Sequence, residues 1–137
     1  GRLATRTVTT DWFRHIYREL NTRADQLANM AMDARRAQWT SQAHPLPDHV
    51  RGHFDGGKRD EDTVSYGWIV DASRILDPDG RPVWTEVAAC SMPLPPGTTV
   101  PEAELKGAEQ CTLAAVSIAV QGYVSFDADG CVLAPVL

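Results

Sequence analysis

The sequence predicts an α/β fold, of the kind in which a mixed β-sheet is flanked by helices, and places it in a single domain, residues 1–137. Helical patterns with capping signals alternate with strand patterns, in the order strand, helix, linker, three-stranded meander, helix, strand. Hydrophobic residues make up 43% of the chain and charged residues 23%, which is typical of a folded protein and excludes a disordered one. At 137 residues the chain is long enough to bury one core.

The charge and the cysteines narrow the class of protein further. A net charge of −5 excludes a protein that binds nucleic acid through overall positive charge, but it suits a site that gathers carboxylates and recruits divalent cations. The three cysteines have no C-x-x-C spacing, so we expect small buried side chains rather than disulfides or a zinc site. No apolar run approaches the roughly 20 residues that span a bilayer. We therefore expect no membrane contact and an intracellular protein, in the cytoplasm or nucleus.

The first helix is predicted at residues 22–36, after a strand-like segment at 12–17. Asn21 or Thr22 offers an N-cap. The apolar side chains recur at the spacing i, i+3, i+4, i+7 of one helical face: Ala24, Leu27, Ala28 and Ala31. Asp25 falls in the first turn, on the edge of this face, where an acid is favoured by the helix dipole whether or not it has a further role.

Residues 37–49 contain three breaks rich in His, Pro and Asp and are predicted to be a linker. A meander of three strands follows, with strands predicted at 50–55, 64–70 and 83–92 and a strong turn signal at 77–80.

The first strand of the meander is predicted to end on Asp55 and to turn at once through Gly56 and Gly57. An Asp-Gly pair often does no more than make a turn. Bare backbone beside a carboxylate, however, lets a polar ligand approach closely and leaves the acid able to hold a cation. His53, just before the end of this strand, is expected to be structural.

The second helix is predicted to begin with a capping box, Thr99 to Glu102, and to run to about Gln121. Its expected core side chains are Leu105, Ala108, Leu113, Val116 and Val120. Glu104 lies in its first turn and Glu109 in its second, and both are candidates for a functional acid.

A final strand is predicted at 123–128, with Asp129 at its end. Asp127 is the alternative acid, but alternating apolar residues lead to Asp129. A calcium loop at 127–130 is disfavoured because the remaining ligand positions are missing. A polar turn before an edge strand is the competing interpretation of both aspartates.

Four segments of the chain together resemble the ribonuclease H family. Residues 14–29 resemble its closing strand and last helix, in which an Arg-Glu pair is followed by Asn, by Ala-Asp three residues on, and by Leu-Ala. Residues 54–70 resemble its opening Asp-Gly-Gly hairpin, 99–104 the start of its first helix, and 124–129 its fourth strand. The resemblance covers most of the chain outside the linker.

The order of these segments departs from the family, because the last helix comes first. A circular permutation explains this: residues 1–36 carry the closing strand and helix, 37–49 join the old ends, and 50–137 carry the meander, helix and fourth strand. Permutation is favoured because closing a linker of about a dozen residues costs only a few kcal/mol. The resemblance then implies a five-stranded, mixed, ribonuclease H-like sheet in a monomer. A cut across tandem domains, which would complete its site in a segment-exchanged dimer, is the alternative.

The resemblance implies a metal-dependent endoribonuclease that hydrolyses the RNA strand of RNA/DNA hybrids. Asp55, Glu104, Asp129 and Asp25 would converge as its catalytic acids and hold two Mg²⁺ ions, with Mn²⁺ as an alternative ion. Asp55 would bridge both ions, Glu104 and Asp129 would hold one, and Asp25 the other. Clustered acids repel one another, so such a site depends on cations.

The resemblance also implies that the backbone amides of Gly56 and Gly57 reach the 2′-hydroxyls of the RNA strand. Two departures weaken the match: the family's mobile histidine has no clear equivalent, and acids at 60–62 replace its usual turn. Two other functions therefore stay open. One is a catalytically inactive ribonuclease H-like module for binding or scaffolding in a retroelement polyprotein, and the other is an α/β domain whose acids are only surface caps.

Overall fold

The structure, a computed structural model, describes residues 21–74 and 78–135. In chain order, these residues form helix α1 (Thr22–Ala34), strands β1 (Gln38–Ser41), β2 (His49–Asp60), β3 (Thr63–Ser73) and β4 (Thr85–Leu94), and helix α2 (Val100–Gln121). The four strands form an antiparallel sheet in the order β1-β4-β3-β2. The fold of the described residues is therefore α+β, with two helices and a four-stranded antiparallel sheet. The strand predicted at 12–17 lies outside them.

Helix α1 confirms the prediction at 22–36, and all four residues of the expected apolar face are buried, together with Met32. The helix ends at Ala34 because Arg35 adopts a left-handed conformation with φ of 55°. Asn21 does not cap the helix with its side chain. Its Nδ2 instead donates a hydrogen bond of 2.8 Å to the carbonyl of Phe54, which ties the start of α1 to β2.

Helix α2 begins with the predicted capping box, in which Thr99 and Glu102 bond each other's backbone. The predicted core face, however, was wrong in part, although Leu113 packs against the core as expected. Leu105 is 71% exposed, and the buried residues are Ala103, Gly107, Gln110, Cys111, Ala114, Ser117, Ile118 and Ala119. Small residues dominate this face because α2 packs directly on the backbone of β2, where a larger side chain would hold the helix away from the sheet.

Strand β2 does not turn at the two glycines, which corrects the prediction of a turn there. It continues to Asp60, and the chain reverses at 61–62. A Cβ at Gly56 would lie 2.8 Å from the backbone nitrogen of Glu104, and one at Gly57 would lie 2.8 Å from Cε of Met32. The glycines therefore allow both helices to approach the strand, and they are not turn residues.

The segment at 37–49 is only partly a linker, because 38–41 form the edge strand β1. In register with β4, Trp39 pairs with Cys90, and its ring stacks on Phe126 at 5.9 Å between centroids. Packing of one large aromatic side chain thus orders a segment without hydrophobic periodicity.

The strand predicted at 123–128 was also wrong, since this segment forms only a single bridge, Phe126 to Val132. Oδ1 of Asp127 accepts hydrogen bonds from the backbone N–H groups of Asp129 and Cys131, at 2.8 and 3.0 Å. The side chain thereby closes a turn where a strand was expected.

The core lies on both sides of β3, every residue of which is buried. Tyr66, Trp68 and Val70 face α2, and Ile69 packs with Leu27 of α1. Among the cysteines, Cys90 and Cys111 are buried as expected, and Cys131 is partly exposed. No helix within residues 21–74 and 78–135 is long and apolar enough to cross a membrane.

Candidate acidic site

The position of the site is set by the close packing of α1 on β3 opposite Asp55. Asp55 pairs across the sheet with Gly67. A Cβ at Gly67 would lie 2.6 Å from the carbonyl oxygen of Ala24 and 2.6 Å from the nitrogen of Ala28. Only glycine allows the helix backbone to come this near, and the first turn of α1 thereby lies beside Asp55 with its acid, Asp25.

Asp25 and Asp55 meet directly, although 30 positions separate them in the sequence. Burial, followed by a hydrogen bond with Asp25 and the like charge of Asp25, raises the pKa of Asp55 from 3.8 to about 6. The N–H of Gly56 donates to the same carboxylate and opposes this change. The two carboxyl groups therefore lie so close that ionising both of them is unfavourable unless a cation is bound.

Glu104 supplies the third acid from the first part of α2. Its side chain packs beside Gly56, the residue after Asp55, and its charge also raises the pKa of Asp55. Glu104 itself is exposed. Of the two candidates on α2, Glu104 is thus the one whose charge reaches Asp55, whereas Glu109 pairs with Lys106 at 3.4 Å.

The structure does not bring Asp129 to this place. It lies in a turn where a Cβ on the next residue, Gly130, would be 2.5 Å from the indole of Trp39 on β1. Strands β1 and β2 are at opposite edges of the described sheet, three strand spacings apart, so this turn and Asp55 are separated by roughly 14 Å. Asp127 belongs to the same turn. Three of the four expected acids, Asp55, Asp25 and Glu104, therefore lie together, and neither candidate for the fourth is among them.

The two glycines expected to contact substrate have clear packing roles. Gly56 lies under the start of α2, and Gly57 lies under Met32 of α1. The amide of Gly56 points at the Asp55 carboxylate. His53 is half-buried, and burial followed by the charge of Arg51 lowers its pKa, so it is a neutral side chain in the strand.

Two polar residues that the sequence analysis did not single out support the acid pair. Nδ2 of Asn29 donates to Oδ2 of Asp25 at 3.3 Å, and Nη2 of Arg59 donates to Oδ1 of Asn29 at 3.4 Å. Nη1 of Arg59 is also paired with Asp33 at 2.6 Å. The signal for Asn29 was present in the sequence, because it follows Asp25 by four residues on the same helix face.

The donor set suits a hard cation. Within the described ranges, no group of three or more His, Cys, Asp or Glu side chains is arranged to hold a metal ion. Magnesium, however, is commonly bound through one or two carboxylates and keeps several waters. The contact between Asp25 and Asp55 provides such a pair, and a bound cation would neutralise the charge of both acids. The residue types at the pair are therefore those that a Mg²⁺ ion takes.

Comparison of the chain with protein-family models, with curated proteins and with solved structures found no match.

Proposed function

We propose that this protein is a divalent-metal-dependent nuclease of the ribonuclease H type, acting on the RNA strand of RNA/DNA hybrids. The observation that carries the proposal is the contact between Asp25 and Asp55, joined by the nearby charge of Glu104. These acids come from α1, β2 and α2, and the four-segment resemblance led us to expect them in one place. Acids that only cap the surface would have no reason to converge.

The proposal includes the permuted order of the family's elements in one chain, with a five-stranded sheet. It is supported by the way α1 precedes the meander in sequence but packs against β3 and β2, with Asp25 reaching Asp55. A monomer completes this acid pair without a partner. Size-exclusion chromatography with light scattering tests it, since a segment-exchanged dimer would have twice the monomer mass at micromolar concentration.

In this mechanism, Asp55 and Asp25 would hold the metal beside the reacting phosphate, and Asn29 orients Asp25. Glu104, which is exposed, changes rotamer at little cost and turns its carboxylate toward the pair. Bound Mg²⁺ would supply activation of a water and stabilisation of the leaving oxygen. Two Mg²⁺ ions, or Mn²⁺ ions in their place, would be held by Asp55, Asp25 and Glu104.

The test is cleavage of a labelled hybrid in the presence of Mg²⁺. We expect Asp55→Asn and Asp25→Asn each to lower the rate by roughly 10²–10³-fold, because each removes charge stabilisation at the reacting group. Asp129→Asn is the matched control, with the same chemical change, and we expect it to keep nearly full activity. Equal losses in all three variants would contradict the three-acid site.

The second candidate is a catalytically inactive module that binds hybrids or scaffolds a polymerase. The specific observation in its favour is the position of Asp129, which leaves the acid set one member short of the family pattern. An intact hybrid after long incubation with Mg²⁺ or Mn²⁺ at high protein concentration, together with measurable hybrid binding, would establish this function instead.

A further inference from the structure

A second group of interacting side chains lies along β2, away from the acid pair. Arg51 is four residues before Asp55 in the same strand. Side chains at i and i+4 of a strand point to the same face and are about 13 Å apart. Arg51 and Asp55 therefore stand in one row along this strand.

The guanidinium of Arg51 is held from two sides. Its Nε donates to Oδ2 of Asp71 at 3.1 Å, and the Asp71 side chain is only 11% exposed. Its central carbon lies 4.2 Å from the centre of the Trp84 ring, in a cation–π contact. His49 packs edge-on against the same ring at 6.3 Å. A buried carboxylate and an aromatic face thus fix both the position and the plane of this cation.

The outer part of the guanidinium has no hydrogen-bond partner among the residues that the structure describes. Only Nε of Arg51 forms a hydrogen bond to residues in the described part of the chain, so neither Nη group does. The Arg51 side chain is 46% exposed. Arginine presents paired N–H donors in a planar fork that matches phosphate oxygens. A guanidinium already anchored through Nε loses little conformational freedom when its Nη groups bind an anion.

We propose that Arg51, positioned by Asp71 and Trp84, binds a backbone phosphate of the nucleic-acid substrate. The assignment of the ligand to nucleic acid rests on the proposed function. The spacing along β2 places this phosphate about 13 Å from Asp55, away from the scissile position. The contact provides a local positive charge through which a protein of net negative charge can bind a polyanion.

The test measures binding of a fluorescent RNA/DNA hybrid by anisotropy in EDTA, where no metal-dependent cleavage occurs, over a series of salt concentrations. We expect Arg51→Ala to weaken binding by roughly 5–10-fold at 0.1 M salt and to reduce the slope of log K against log salt by about 0.9, the value for one lost phosphate contact. Arg51→Lys keeps the charge but loses the fork, so it should keep the slope and bind more weakly. The matched control is Arg36→Ala, which removes one exposed arginine beyond the far end of α1 and should leave the slope unchanged.

Removing Arg51 leaves the Asp71 carboxylate unpaired, so the double variant R51Q/D71N guards against a folding defect and should show the same loss of slope. An unchanged slope in folded Arg51→Ala or R51Q/D71N, an equal change in Arg36→Ala, or no hybrid binding in EDTA would overturn the inference. The proposed function is tested separately. If binding depends on Arg51 but the protein never cleaves the hybrid with Mg²⁺, the phosphate contact is supported and the nuclease activity is contradicted.

Discussion

At the residue scale, the most informative side chain is that of Asp55. A carboxyl that is half-buried against a second acid is costly to ionise, and the pKa of about 6 expresses that cost. Folding nevertheless holds the arrangement in place through backbone contacts around Gly56 and Gly67. The contact between Asp25 and Asp55 reduces stability, although close packing holds it in place. Binding of a ligand explains such an arrangement better than a role in folding does.

We predict that, without metal, the contribution of Asp55 to the free energy of unfolding falls as the pH rises from about 4 to about 6. The pKa of Asp55 is about 6 in the folded protein, above its ordinary 3.8, so the folded state binds the proton more tightly than the unfolded state. The stabilising effect of protonated Asp55 is full below about pH 4 and is lost as the pH rises to about 6. Thermal melts in EDTA should show Asp55→Asn gaining a few degrees on the natural chain above pH 6. Parallel curves from pH 4 to 7 would contradict this.

Gly67 is predicted to be the least replaceable residue near the site. Its Cβ would lie 2.6 Å from the backbone of Ala24 and of Ala28, so α1 would have to move. We expect Gly67→Ala to lower the free energy of unfolding by about 1–3 kcal/mol, measured by urea denaturation. Gly57→Ala is the matched control, because the close contact of its Cβ would be with the flexible end of Met32, and the hydroxyl of Ser65 would lie at an ordinary 3.5 Å. A similar cost in both variants would show that helix approach is not what Gly67 provides.

At the element scale, each helix is docked by a distinct device. The hydroxyl of Ser65 donates to the carbonyl of Ala28 at 2.6 Å, and that of Ser91 donates to the carbonyl of Leu27. These bonds hold the middle of α1 to β3 and β4. Helix α2 depends instead on its capping box and on small residues against the sheet. Because Asp25 and Glu104 lie near the starts of their helices, these devices also position two of the acids.

The capping box gives a prediction for α2. Thr99→Ala removes the hydroxyl that accepts from the N–H of Glu102 at 3.2 Å, and we expect it to lower the free energy of unfolding by about 1 kcal/mol. Urea denaturation by circular dichroism measures this change. Thr40→Ala, at an exposed position of β1, controls for the loss of a threonine. A loss below a few tenths of a kcal/mol would mean that packing alone fixes the start of α2.

At the scale of the whole molecule, a bound cation should stabilise the fold. A ligand that binds only the folded state raises stability by mass action. We predict that 10 mM Mg²⁺ at pH 7.5 raises the melting temperature by roughly 2–4 °C, and that Asp55→Asn and Asp25→Asn abolish the rise. Asp129→Asn should retain it. Differential scanning fluorimetry measures the effect, and a rise that survives in Asp55→Asn would place the ion elsewhere.

Much of the fold followed from local rules. The face of α1 was predicted from the spacing of small apolar residues, and the capping box at Thr99 from its own four residues. The predictions were wrong where contacts with residues distant in the sequence determine the local structure. Trp39 turned a predicted linker into a strand by packing on Phe126, and Asp127 turned a predicted strand into a turn. The glycines at 56 and 57 were misread because their role is to admit helices, which local sequence does not display.

The sequence by itself determined the helices, the meander and which acids were candidates, because caps, periodicity and turn residues act over a few positions. Only the tertiary structure decided which candidates meet. Asp25 and Asp55 come together because Gly67 lets α1 approach the sheet, and Asp129 stays apart because its turn packs over β1. Contacts between residues far apart in the chain depend on how closely elements pack, and packing distance is a property of the assembled fold.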